Sequence, residues 1–145
     1  MRKTADIKKK FGYDSVIFFP GNLGIAKKDH KYFHVRSDGT PAYEQRYDEV
    51  GNFYEGLARA KNDGEWFHIR PDGTPAYRRR YDYVENFSEG LAKAKKDGKY
   101  FHIRPDGIPA YRRRYDDVND FSKGLAWTEK RGEWVQIHPD GSRAD

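Results

Sequence analysis

The sequence predicts an all-β chain: four tandem antiparallel β-meander repeats of 34 residues, stacked as an open twisted array. Three observations carry this reading. Laid over itself at an offset of 34, the chain keeps one register without a gap from Tyr13 to Gly141. Seven columns, those headed by Tyr13, Asp14, Val16, Phe19, Leu23, Asp38 and Gly39, hold one residue type in every copy. Such self-similarity marks units that cannot bury their apolar faces alone and stack on their neighbours. Paired Asp-Gly steps, Asp63-Gly64 with Asp72-Gly73 and Asp97-Gly98 with Asp106-Gly107, bracket a short aromatic segment, and such steps supply the positive φ of tight hairpin turns. Between them apolar and polar residues alternate with the period of a strand.

The elements follow in order. Residues 1–12, with the basic run Lys8-Lys9-Lys10, precede the register and read as a tail or small cap. The repeat domain, 13–145, divides into units 13–46, 47–80, 81–114 and a shorter 115–145. In the third unit, Leu91 to Lys95 forms an outer strand and Lys99 to Arg104 the middle one. A last strand over Ile108 to Tyr111 contains Pro109, a residue suited to a sheet edge or a strand start because it cannot donate to a ladder. Tyr81 to Phe87 then reads as the connection between units, with Asp82 closing it through backbone N–H groups. In the middle strand Phe101 and Ile103 face the core, while Tyr100, His102 and Arg104 make a partly wet opposite face. Helical hairpins also suit this period, and the apolar residues at 77, 81, 84, 87, 91 and 94 fit a helix, but Gly56, Gly90 and Gly124 fall inside it. A closed four-bladed propeller is the alternative to the open array.

Composition bounds the function. With 145 residues the chain makes one domain, and its 11 Tyr, 9 Phe and 3 Trp bury enough area to exclude disorder. No apolar run reaches the length of a membrane span, so a cytoplasmic protein with no membrane partner is expected. The absence of Cys excludes disulfides, thiol nucleophiles and thiolate zinc sites. No Ser sits in a nucleophile elbow, and the glycines are spread one per turn rather than gathered in a phosphate loop. No enzyme activity and no cofactor are expected. His34, His68 and His102 share a column, read as hydrogen-bonding residues on the outer face of each middle strand rather than as a metal ladder.

Binding chemistry is better represented. Arg78-Arg79-Arg80 and Arg112-Arg113-Arg114 recur between tyrosines, where the first unit has Glu44-Gln45-Arg46. Arginine triplets beside rings suit phosphate and base contact, although Asp82, Glu85, Glu89, Asp116 and Asp117 stand close enough in sequence to neutralise them. Tyr32, Trp66, Tyr100 and Trp134 recur on the wet face of each middle strand as candidate anchors for a protein partner.

The string Tyr81-Asp82-Tyr83-Val84-Glu85-Asn86-Phe87-Ser88-Glu89-Gly90-Leu91-Ala92, followed by Asp97-Gly98-Lys99 and Ile103, resembles the bacterial WG (KWG) β-repeat family over residues 13–141. Its Phe-x-Glu-Gly-Leu-Ala element is intact at 53–58 and 87–92. The Gly of the family's Trp-Gly pair is replaced by Phe33, Phe67, Phe101 and Val135, so packing around the middle strand must differ from the usual form. The resemblance implies antiparallel β repeats and little about activity; binding or scaffolding is the usual role of such arrays. The expectation is therefore a non-enzymatic scaffold that binds another protein through an aromatic and basic surface, with nucleic-acid binding as the alternative. Self-association through exposed sheet edges is a further expectation.

Overall fold

Tight turns set the register of every sheet. In the computed structural model, which describes residues 2–144, Asp97 and Gly98 lie at φ 51° and 80°. Two successive positive values are the type I′ geometry that matches the twist of the flanking strands. The Asp at the start of each unit braces the turn: Asp82 accepts the Asp97 N–H at 2.8 Å, and Asp48 accepts the Asp63 N–H at 2.9 Å. Met1 and Asp145, which the sequence reading assigns to the leader and the last unit, lie outside the described residues.

Helix α1 (Arg2–Phe11) precedes four three-stranded antiparallel sheets. The first contains β1 (Ser15–Ile17), β2 (Gly24–Lys28) and β3 (Lys31–Val35), and the second β4 (Glu49–Tyr54), β5 (Leu57–Asn62) and β6 (Glu65–Ile69). The third contains β7 (Tyr83–Val84), β8 (Ala92–Lys96) and β9 (Lys99–Ile103), and the fourth β10 (Asp117–Val118), β11 (Ala126–Lys130) and β12 (Glu133–Ile137). Strand order within each sheet follows chain order.

This corrects the expected position of one strand. The segment expected as the last strand, 108–111, makes only an isolated bridge from Pro109 to Ile103, whereas the expected connection supplies the first strand, with Val84 paired to Ala94. Pro109 sits where the bridge uses no N–H, since Arg104 donates to Ile108 and Ala110 to the His102 carbonyl on either side at 2.9 Å, and the pairing extends no further. A second tight turn was also unforeseen. Glu89 and Gly90 take φ values of 53° and 83° and join Ser88 to Leu91, so the Glu-Gly step makes a hairpin bend rather than interrupting a helix.

Large rings meet small residues across the strands. Phe67 stands opposite Ala60 and Phe101 opposite Ala94, and both rings are almost wholly buried. Tyr47 meets Phe67 edge-on at 5.7 Å, and Tyr81 meets Phe101 at 5.8 Å. Phenylalanine in place of the family's Gly therefore builds the core of the first three units, and burying each such ring stabilises the fold by about 2–3 kcal/mol.

Each unit grips the next by the same contacts. Trp66 and Tyr81 exchange backbone hydrogen bonds at 2.8 and 3.0 Å across the junction, while within the second unit the Tyr47 hydroxyl donates to the Gly73 carbonyl at 2.6 Å. The Glu55 carboxylate accepts the N–H groups of Glu89 and Gly90 at 2.7 and 2.8 Å, and Glu89 repeats this on Lys123 and Gly124 at 2.6 and 2.8 Å. Tyr77 packs so closely over Gly107 that a Cβ there would lie 2.4 Å from its ring. At the head of the array Ile7 and Phe11 of α1 fill that place over Gly39, so the leader forms a cap. Backbone bridges join each sheet only to its successor, and among the described residues none joins the first sheet to the fourth. The array is open.

Candidate functional site

The arginine loops are held by their own tyrosines. Tyr77 and Tyr81, both buried, fix the two ends of the loop 78–80. Arg80 folds back into it, donating to the carbonyl oxygens of Tyr77, Arg78 and Arg79 at 3.1, 3.0 and 3.0 Å, with its guanidinium 3.9 Å from the Phe67 ring. Arg114 does the same over Phe101 at 4.0 Å, and Arg46 over Phe33 at 3.7 Å. The last arginine of each triplet is thus a lid on the core. Because it draws the loop carbonyls inward, the first two, Arg78 with Arg79 and Arg112 with Arg113, are left exposed. Tyr77, Tyr81, Tyr111 and Tyr115 are at most 9% exposed, so the rings that flank the triplets are not open to stacking.

Nearby carboxylates are engaged elsewhere. Asp82 holds the Asp97 turn, Glu89 holds the Lys123 turn, and Glu85 accepts from the Tyr83 hydroxyl at 2.6 Å. Asp116 accepts from Lys99 at 2.6 Å, and Asp117 from Lys93 at 3.1 Å. Among the described residues no ion pair involves Arg78, Arg79, Arg112 or Arg113. The third and fourth units are therefore joined to their predecessors by loops that each present two exposed guanidinium groups without a carboxylate partner, of which Arg79 also interacts with the Tyr81 hydroxyl.

The aromatic column divides differently. Tyr32, Trp66 and Tyr100 are half-buried, with Lys27 over Tyr32 at 5.5 Å, Arg59 over Trp66 at 5.1 Å and Lys93 over Tyr100 at 4.7 Å. Trp134 alone of the four stands largely free, at 44% exposure. Sequence reasoning missed its companion Trp127, 45% exposed and on the same face of the fourth sheet. Alternation over Ala126-Trp127-Thr128 carried the signal, since it turns Trp127 away from the core side of Thr128.

The histidine column is not wet, contrary to expectation. His34, His68 and His102 are fully buried because the following unit's first strand covers that face. Each Nε2 meets a carbonyl of the next unit, Gly51 at 2.8 Å, Glu85 at 2.9 Å and Asn119 at 2.8 Å, so it must donate. Each Nδ1 therefore accepts from the hydroxyl of Tyr43, Tyr77 or Tyr111, all at 2.6 Å. Burial lowers the histidine pKa values from 6.5 to about 4, and burial also raises those of the three tyrosines. Among the described residues no cluster of His, Asp and Glu is placed to hold a metal ion, and no helix is long and apolar enough to cross a membrane.

Stacked meanders that expose cationic loops and a few rings define a tandem β-repeat array. The model of the family described as "WG containing repeat" matches residues 37–66, 69–100 and 113–134, more than half of the chain, and the protein belongs to that family. A search of the curated proteins finds no match.

Proposed function

We propose that this protein is a non-enzymatic scaffold that binds an acidic segment of another protein along the exposed arginines of its loops. The observation that carries the reading is the freedom of Arg78, Arg79, Arg112 and Arg113 from every nearby carboxylate while the loops beneath them are locked by Arg80 and Arg114. Loops held by a stiff core lose little backbone freedom when their exposed cations bind, which favours affinity for a complementary charge pattern. Burial of the flanking tyrosines supports a protein ligand over single-stranded nucleic acid, whose binding draws on stacked bases. Trp127 and Trp134 offer apolar contacts at the fourth sheet.

Fluorescence anisotropy of a labelled glutamate-rich peptide tests this. Binding at low salt that weakens as ionic strength rises, and that is lost in the quadruple variant Arg78→Glu, Arg79→Glu, Arg112→Glu, Arg113→Glu, is the expected result. Retained binding in that variant, or tighter binding of a single-stranded oligonucleotide than of the peptide, would count against it.

A further inference from the structure

The repeat provides an internal comparison for one cleft. Beside the third unit a cavity of about 420 Å³ is lined by Arg79, Arg80, Lys96, Lys99 and Arg114, with Asp97 its one carboxylate. Tyr81 and Phe101 lie beneath them. One unit earlier the same columns read Gln45, Arg46, Asn62, Glu65 and Arg80, with Asp63. The two units share strand register and turn geometry, so folding does not require cations at 79, 96 and 99. The first unit has Lys28 and Lys31 at the last two columns but Phe11 at the first, and the fourth has Arg113 and Lys130 but Glu133, so the third unit alone carries cations at all three.

We propose that this cleft binds a phosphate monoester, carried as a phosphorylated side chain by the acidic partner. The inference rests on the reading above and adds the group that the partner presents. Arg80 and Arg114 are committed to loop carbonyls and ring faces, so they act through their fixed charge. Lys99 also reaches Asp116 at 2.6 Å, Lys96 lies 3.5 Å from the Arg80 carbonyl and Arg79 interacts with the Tyr81 hydroxyl, so it is the remaining N–H groups of the exposed Arg79 and Lys96 that meet a ligand directly. Five cations against the carboxylates of Asp97 and Asp116 still exceed what a single carboxylate ligand neutralises, whereas a phosphoryl group brings about −1.5 to −2 charge and three acceptor oxygens. Arginine donates to such oxygens in pairs and lysine as a point charge. The volume also admits a side chain behind the phosphoryl group.

Isothermal titration of the full chain decides the matter, using an acidic peptide with a central phosphoserine, its unphosphorylated twin, inorganic phosphate alone and a single-stranded oligonucleotide. The expected result is a preference for the phosphopeptide of about tenfold, as charge-assisted bonds to a dianion imply. The double variant Lys96→Asn, Lys99→Glu installs the residues that the second unit already accommodates, and in it the ratio between the twins should fall to near one. Equal binding of the twins by the wild type, or an unchanged ratio in the variant, overturns the cleft and leaves the arginine reading standing. Failure of both peptides to bind overturns both. Inorganic phosphate binding as tightly as the phosphopeptide, or the oligonucleotide binding more tightly, also overturns the proposal.

Discussion

Lowering the pH from 7 to 5 should withdraw stability from three junctions at once. His34, His68 and His102 are held neutral in the fold, with pKa values near 4 against 6.5 for the free side chain. The unfolded chain therefore takes up protons that the folded one refuses, and stability is full above pH 6.5 and declines as the pH falls toward 4. One such group loses about 2 kcal/mol of stabilisation by pH 5 and about 3 kcal/mol by pH 4. The three together lose roughly 6 kcal/mol by pH 5, comparable to the whole stability of a typical domain. Urea unfolding at pH 7, 6 and 5 measures this directly. The fourth unit carries Gln136 in the histidine column, so the triple variant His34→Gln, His68→Gln, His102→Gln is the control. It should start less stable at neutral pH and lose much less on acidification. Resonances of His34, His68 and His102 titrating near pH 6.5 in the folded protein, or equal acid sensitivity of wild type and variant, would refute the reasoning.

Other perturbations follow from the junctions. Gly107→Ala should destabilise the array by more than the ~1–2 kcal/mol of a side chain in left-handed backbone, because its Cβ also meets the Tyr77 ring at 2.4 Å; thermal melting reads the loss. Phe67→Ala should remove about 3–5 kcal/mol by opening a cavity beneath Arg80, seen in the denaturation midpoint. Glu89→Gln keeps the shape but weakens two charge-assisted bonds to Lys123 and Gly124, so amide exchange at those two positions should quicken before the core exchanges.

Much of this molecule was legible because the repeat averages out local ambiguity. The Tyr81 column is buried in all four copies, as its invariance implied. The first strand was misplaced because Tyr83-Val84 is too short for alternation to show, and Pro109 lies where a strand end and a single bridge read alike. The histidines were read as wet because alternation assigns them to the face opposite the core, and no pattern within one unit reveals that the next unit covers it. The arginine triplet carried a signal that went unused, since the first unit keeps only the third member, as Arg46. Arg80 and Arg78 are chemically identical, and the position of Phe67 under the loop decides which is the lid.

Arginine side-chain NMR gives the most direct test of the central claim. Titrating the full chain with the glutamate-rich peptide while recording Nε–Hε resonances should shift Arg78, Arg79, Arg112 and Arg113 and leave Arg46, remote on the first unit's lid, in place. Shifts confined to the Trp127 and Trp134 indoles, with the four arginines unmoved at saturating peptide, would contradict it.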